Sequence, residues 1–168
     1  DAKIGWVKVR YLQKLASTGQ LIPRRQDVPF DQIDIGSKGS FQEDCVSVHR
    51  WVLSHPWCST RHPDPEGRQL AWIVRELDRL GARESDLVFY DFMSIFQHNL
   101  GDEELWRILC RRVQQKDKGL PEEQLVEFPR PGQHPAVRTE EEQNLFELGL
   151  NRSELLYSFS GSRVIIAP

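Results

Sequence analysis

Two histidines and a cysteine lie close together in the segment "SHPWCSTRHPDPEGRQL", residues 54–70. His55 and His62 are seven positions apart, and Cys58 lies between them. Both residue types bind zinc, but structural zinc sites use paired motifs such as Cys-x-x-Cys and a set of four ligands. The segment has neither such a pair nor a fourth ligand nearby. We therefore predict no metal site, and we expect the histidines to make hydrogen bonds at a strand end.

The second half of this segment is typical of the beginning of a helix. Asp64 precedes Pro65, which is the order expected for an N-cap residue and the first helical position. The apolar residues that follow recur at helical spacing and are Leu70, Ile73, Val74, Leu77 and Leu80, before Gly81. We expect Asp64 to cap this helix rather than to do chemistry.

A second carboxylate, Asp91, lies in the apolar segment "DLVFYDF", residues 86–92, which predicts a buried strand. A buried carboxylate is costly unless it is paired or lies at a strand end that faces a polar site. Two interpretations of Asp91 stay open. It contacts a ligand, or it makes a structural hydrogen bond to the loop that carries Ser94 and Gln97.

Other patterns that could do chemistry are weaker. Arg24 and Arg25 could bind a phosphate, but the neighbouring Asp27 favours ion pairs that hold the N-terminal segment in place. Ser54 and His55 are not a nucleophile and its base, because adjacent strand residues point to opposite faces. The chain has no phosphate-binding loop, GxSxG elbow or dinucleotide glycine pattern. The residues themselves indicate no catalytic group and no cofactor.

The elements that must position these residues alternate along the chain. Helical periodicity and caps predict helices over residues 3–18, 64–80, 102–115 and 139–157. Asp102 is the expected cap of the third, and Thr139 with Glu142 forms a capping box at the fourth. Buried strands are predicted over residues 45–54, 86–92 and 163–167, and an extended arm over residues 21–41. This alternation indicates an α/β fold with a parallel sheet.

Composition limits the class of protein. A chain of 168 residues with 39% hydrophobic content builds one core. Its net charge of −3 gives no general attraction to nucleic acid or to an anionic membrane, and it has no apolar stretch of the ~20 residues that a span needs. The three cysteines are at unrelated spacings, which favours reduced thiols in a cytoplasmic protein.

We divide the chain into a helix and extended arm over residues 1–44 and an α/β domain over residues 45–168. The domain contains a polar, proline-rich insertion at about residues 98–137, in which "LVEF" is the only strand-like piece. A parallel sheet normally has both flanks covered. Because the chain stops at Pro168 on its third strand, we expect the domain to be truncated there.

Several motifs together resemble an uncharacterised family of Toll/interleukin-1 receptor (TIR)-like domains. They are "LIPRRQDVP", "LSHPW" with "HPDPEGRQL", "VFYDFMSIFQ", and "RTEEEQNLFELGLNRSELLYS" before "RVIIA", and they span most of residues 21–167 in the family's order. The family's usual Ser-His-Arg-Trp is Ser54, His55, Pro56 and Trp57 here, so a guanidinium group is lost. The insertion at about residues 98–137 is a second difference from the family.

The resemblance implies a flavodoxin-like, three-layer parallel sheet in which the first predicted strand is central and the other two flank it. Ligands of such sheets bind in a crevice at the carboxyl ends of the strands. The candidate ligand-binding residues, which follow the first and second strands, are Ser54, His55, Trp57, Asp91, Ser94 and Gln97.

For function, the resemblance implies a signalling or assembly module that contacts other TIR-like domains or itself. The alternative is a glycohydrolase that cleaves NAD, with a catalytic glutamate in a helix after the third strand. Since the chain ends at Pro168, before such a helix, we assign no catalytic residue and expect no such activity.

Overall fold

The computed structural model describes residues 4–35, 48–59, 61–158 and 162–167, which form a mixed α/β structure around one five-stranded sheet. The strands are β1 Trp6–Lys8, β2 Ile33–Asp34, β3 Arg50–Ser54, β4 Leu87–Phe89 and β5 Ser162–Ile166. The helices are α1 Val9–Thr18, α2 Arg68–Arg79, α3 Asp91–Ser94, α4 Glu103–Asp117 and α5 Glu140–Ser158. The strand order is β2-β1-β4-β3-β5.

The sheet is only partly parallel. β3 runs parallel to both of its neighbours, and Val52 lies opposite Phe89 on β4 and Val164 on β5. These are the three strands that the sequence predicts, and the first of them lies between the other two. β1 is antiparallel to both β4 and β2. The α/β class is therefore confirmed, while the expectation of a purely parallel sheet is wrong.

The predicted helix over residues 3–18 is wrong at its beginning, where the chain forms β1. Val7 pairs with Val88 on β4 and with Ile33 on β2. Val7 and its neighbour Trp6 are both buried but belong to different clusters of the core, as expected when successive side chains of a strand point to opposite faces. The helix proper begins at Val9 and ends, as expected, at Gly19, whose φ of 65° gives the left-handed cap.

The boundaries of the predicted strands also change. β3 begins at Arg50, and residues 45–47 of its predicted range lie outside the described residues. β4 ends at Phe89, because side chains turn the backbone into α3 immediately afterwards. Ser94 Oγ accepts a hydrogen bond from Tyr90 N at 3.0 Å, and Asp91 Oδ1 accepts one from Phe92 N at 2.6 Å. Such local side-chain bonds compete with the strand ladder.

Helices cover both faces of the sheet. On one face, α1 and α2 pack against the sheet, and the residues involved are Leu12, Leu15, Leu70, Ile73, Leu77, Trp51, Leu53, Val88 and Ile165. On the other face, Phe146 and Leu156 of α5 pack against Trp6, Val52 and Phe89. Burying each large apolar side chain contributes about 1.5–3 kcal/mol. The result is three layers, with the sheet in the middle.

Residues 98–137, the predicted insertion, form α4 and an irregular return segment. Asp102 caps α4 as expected, since its Oδ1 accepts a hydrogen bond from Leu105 N at 2.9 Å. The two ends of the insertion meet where Asn99 N donates to the carbonyl oxygen of Ala136 at 2.7 Å. The strand-like piece "LVEF" forms no strand. Α separate small cluster of Leu105, Ala136 and Val137 closes the base of the insertion.

A buried carboxylate, Asp86, joins β3 to β4 at the amino-terminal edge of the strands. Its Oδ1 accepts a hydrogen bond from His49 N at 3.1 Å, and its Oδ2 accepts from Trp51 Nε1 at 3.3 Å and from Arg83 N at 3.0 Å. Burial alone would raise the pKa of Asp86, but these donors together with the Arg83 guanidinium lower it below its ordinary value. The ionised carboxylate therefore stabilises the fold.

We expect Asp86→Asn to lower the free energy of unfolding at pH 7 by about 1.5–3 kcal/mol, the range for hydrogen bonds to charged groups. Because the folded-state pKa is lowered, this stabilisation is complete above the unfolded-state pKa of about 3.9 and is lost as the pH falls through the folded-state value. Urea unfolding at pH 7 and pH 3 measures it, and Asp78→Asn on the exposed side of α2 is the control. A stability difference that is equally large at pH 3 and pH 7 would exclude this role.

Candidate functional site

The structure brings His55 and Asp91 together at the carboxyl ends of β3 and β4. His55 follows the last residue of β3, and Asp91 begins α3 directly after β4. His55 Nε2 lies 2.9 Å from Asp91 Oδ1. The imidazole is 2% exposed, whereas the carboxylate is 39% exposed. Of the two side chains, only the carboxylate is open to a ligand.

Both ring nitrogens of His55 and the ring itself contact other protein groups. Its Nε2 faces a carboxylate, which accepts, and its Nδ1 lies 3.3 Å from the carbonyl oxygen of Pro56. Its ring stands edge-on to the ring of Tyr90, with 4.3 Å between the ring centres. Because both ring nitrogens face protein oxygens and the ring is buried, His55 positions the Asp91 carboxylate and has no ring nitrogen open to a ligand.

Asp91 presents a carboxylate beside an exposed indole. Its Oδ2 lies 3.4 Å from Nε1 of Trp57, at the limit of a hydrogen bond, and the Trp57 ring stands edge-on to Phe92. An ionised carboxylate only accepts hydrogen bonds. The exposed part of the site therefore suits a ligand with hydroxyl, amide or ammonium donors and a flat or apolar face.

The other predicted site residues, Ser94, Gln97 and Ser54, make hydrogen bonds with backbone groups. The Ser94 hydroxyl is buried and accepts from Tyr90 N. Gln97 Nε2 donates to the carbonyl oxygen of Ile95 at 3.1 Å and lies 3.5 Å from that of Asp91. Ser54 closes β3, and its carbonyl oxygen accepts from Ala167 N at 2.8 Å. These residues shape the two loops of the site.

Two residues that the sequence analysis missed fix the loop that carries Trp57. The Tyr90 hydroxyl donates to Gln69 Oε1 at 2.9 Å, and Gln69 Nε2 donates to the carbonyl oxygen of Pro56 at 3.1 Å. Burial, and to a lesser extent the charge of Asp91, raises the pKa of Tyr90. The sequence did contain a signal for them. Tyr90 and Gln69 each lie among apolar residues that are predicted to be buried, and a buried polar side chain needs a hydrogen-bond partner.

A third missed residue comes from the far end of the chain. The Tyr157 hydroxyl, on α5, donates to the carbonyl oxygen of Leu53 at 3.2 Å. Burial, followed by the charge of Asp91, raises the pKa of this phenol. Nothing in the local sequence points to Tyr157, since it lies 104 positions from Leu53.

Asp64 binds the helix backbone, although from a different position than expected. Its Oδ2 accepts a hydrogen bond from Leu70 N at 2.7 Å, and the side chain is buried. The N-cap position of α2 is occupied by Gly67, whose φ of 70° lies in the left-handed region. The expectation that Asp64 is the N-cap residue is therefore wrong. Asp64 nevertheless accepts a hydrogen bond from a backbone amide in the first turn of the helix, as an N-cap residue would.

The residues of the zinc-like pattern are used in other ways. His62 Nε2 lies 2.9 Å from the carbonyl oxygen of Ile22, and its Nδ1 accepts from Asp64 N at 3.0 Å. Cys58 is exposed, and its amide donates to the carbonyl oxygen of Pro63. Within the described ranges, no three histidine, cysteine, aspartate or glutamate side chains are arranged to hold a metal ion.

Two guanidinium groups, the buried one of Arg138 and the half-buried one of Arg25, support the α3–α4 loop. Arg138 Nη1 donates to the carbonyl oxygen of Phe96 at 3.0 Å, and the group stacks 3.6 Å from the ring centre of Phe146. Burial lowers the pKa of Arg138 to about 10, and burial with the Arg138 charge lowers the pKa of His98 to about 4. Arg25 lies over Phe96, also with its pKa lowered by burial. These arginines are structural supports.

A second candidate site is the surface of β5. We define the β5 surface as the side chains of Val164 and Ile166 together with the outward backbone groups of that strand. These side chains are 44% and 76% exposed, whereas Ile165 between them is buried. Among the described residues β5 has β3 as its one neighbour. Since Ala167 N points to β3 and hydrogen-bonding direction alternates, the backbone groups of Val164 and Ile166 point away from the sheet.

No protein-family model, no curated protein and no solved structure matches the chain. Within the described residues, no helix combines the length and the apolar character that crossing a membrane requires.

We expect Asp64→Ala to lower the free energy of unfolding by about 1 kcal/mol, because the bond to Leu70 N is lost as it is when a helix cap is removed. Glu66→Ala is the matched control, since its exposed carboxylate pairs with Arg68 at the surface and should change stability by less than about 0.5 kcal/mol. Urea unfolding of both variants measures the difference. Equal losses in the two variants would show that the hydrogen bond from Leu70 N to Asp64 does not stabilise the fold.

Proposed function

We propose that the chain is a TIR-like signalling or assembly module that acts through contacts with other protein chains, either like domains or a second copy. A flavodoxin-like arrangement is part of this proposal. It is supported by the parallel order β4-β3-β5 and by helices on both faces of the sheet. The observation that carries the functional proposal is the β5 surface.

Two features of the β5 surface favour a protein partner. In the part of the chain that the structure describes, no strand pairs with the outward side of β5, and an unpaired strand edge is a template for pairing with another strand. Val164 and Ile166 add apolar side chains on one face, where α5 covers the neighbouring strands but leaves these residues open. A partner that lies against this edge would bury both side chains and satisfy the outward backbone groups.

We expect the purified chain to self-associate reversibly with rising concentration, because one copy can offer its edge to another. Sedimentation velocity over a wide concentration range measures this. In the double variant Val164→Lys with Ile166→Lys the association should be lost, since charged side chains on an edge strand prevent pairing.

The control for this experiment is Phe30→Lys, which changes an exposed apolar residue on the N-terminal arm. It should associate like the unaltered chain. A monodisperse monomer at all concentrations, or association that persists in the double lysine variant, would refute the role of the β5 surface.

A second candidate function, cleavage of NAD, is favoured by one observation: His55, Trp57 and Asp91 converge at the carboxyl ends of the parallel strands. This is where α/β folds bind nucleotides. The site offers an aspartate that accepts hydrogen bonds from protein groups, whereas the family resemblance implies a catalytic glutamate. We therefore rank this candidate second.

For this candidate we expect the purified chain to release no nicotinamide from NAD above the blank, because no described residue at the site supplies the implied glutamate. Chromatographic detection of nicotinamide after long incubation measures it. Release that disappears in Asp91→Asn would make the enzyme the better account. This substitution keeps the size of the side chain and replaces the charged carboxylate by a neutral amide.

A further inference from the structure

A cleft of about 380 Å³ lies next to the site but is separate from the His55–Asp91 pair. Phe92 lines it and stands between it and Trp57, whose ring centre is 5.6 Å from that of Phe92. Ile22 and Leu100 contribute further apolar lining. Its size lies within the range of about 300–1,000 Å³ that is usual for small-molecule sites.

Two arginines line this cleft from different segments. Arg24 comes from the N-terminal arm and Arg61 from the loop before α2. The Arg61 guanidinium lies 4.3 Å from the ring centre of Trp106, and its Nη1 donates to Glu103 Oε1 at 2.8 Å. Stacking on the indole holds the planar group in one orientation, which prepares it to pair with the two oxygens of an anion.

The present partners of these arginines are exposed. The Glu103 carboxylate is 64% exposed, and Arg24 pairs with Asp27, which is also at the surface. Exposed ion pairs contribute only about 0–1 kcal/mol. An anion that also buries apolar area against exposed lining such as Leu21, which is 48% exposed, can therefore take the place of Glu103 on Arg61.

The charges of the lining indicate the charge of the ligand. Arg24 and Arg61 are positive, and their partners Asp27 and Glu103 are negative, so these four residues carry no net formal charge. A singly charged carboxylate that replaces Glu103 on Arg61 keeps this balance, and its two oxygens fit the fork of an arginine.

We propose that this cleft binds a small organic carboxylate whose charged group pairs with Arg61 and whose apolar body lies against Leu21 and Leu100. This site is independent of the β5 surface and of the function proposed for it. Glu103 is the internal competitor, because it occupies the same guanidinium when the ligand is absent.

Three probes test the two parts of the proposal, the charge pairing with Arg61 and the apolar contact with the cleft. Their binding is measured by NMR titration of the tryptophan indole N–H signals. Phenylacetate carries both the charge and the apolar body, acetate only the charge, and 2-phenylethanol only the body. We expect phenylacetate to bind at least about tenfold more tightly than either of the others. Equal affinity for all three probes would overturn the proposal.

Two substitutions should change the affinity for phenylacetate in opposite directions. Arg61→Gln should weaken binding about tenfold, because the pairing group is lost. Glu103→Gln should strengthen it about two- to fivefold, because the competitor is removed. Arg79→Gln, which alters an exposed arginine paired with Glu76 outside the cleft, is the matched control and should leave binding unchanged.

The Glu103 variant keeps the proposal testable even if the Arg61 variant does not fold. The Glu103 side chain is exposed, so Glu103→Gln should leave the fold intact. Weaker or unchanged binding in Glu103→Gln would overturn the role of Arg61, whatever the Arg61 variant does. The same loss of affinity in Arg61→Gln and in Arg79→Gln would also overturn it, because it would indicate a general charge effect.

Discussion

The parallel register between β3 and β4 is the constraint on which the candidate site depends. Trp51 lies opposite Val88 and Val52 opposite Phe89, so both strands end at the same edge of the sheet. At the other end, Asp86 holds this register by accepting hydrogen bonds from His49 N and the Trp51 indole. A slip of one residue would reverse the faces of every β3 side chain. The contact between His55 and Asp91 at the carboxyl edge therefore depends on the buried carboxylate of Asp86 at the opposite edge of the sheet.

The carboxyl edge is then rigidified by a chain of buried polar contacts. Tyr90, Gln69 and the Pro56 carbonyl oxygen are joined by hydrogen bonds, and Asp64 holds α2 against the same loop. Each of these hydrogen-bonding side chains has a partner. A buried polar network whose members are all satisfied specifies one arrangement of the loop. These contacts hold the loop that carries Trp57 beside the Asp91 carboxylate. Preorganisation of this kind favours recognition.

Sequence reasoning succeeded where the signal was local and failed where it depended on distant pairing. The caps at Asp102 and at Thr139 with Glu142, and the strand β5, follow from neighbouring residues alone. β1 was missed because Val7 fits a helical stripe, and only its pairing with β4 identifies it as a strand. The approach of His55 to Asp91 could be expected from the rule that parallel strands end at one edge. The contribution of Tyr157, far along the chain, could not.

The central claim is that the chain meets its partners through the β5 surface, and amide hydrogen exchange tests it most directly. Exchange is measured residue by residue in dilute and in concentrated solution. The account predicts that the outward amides of Val164 and Ile166 exchange more slowly in the concentrated sample, because an edge strand that pairs gains hydrogen bonds. The amides of β2, at the other edge of the sheet, should be unchanged. Slower exchange at β2 alone, or at neither edge, would contradict the account.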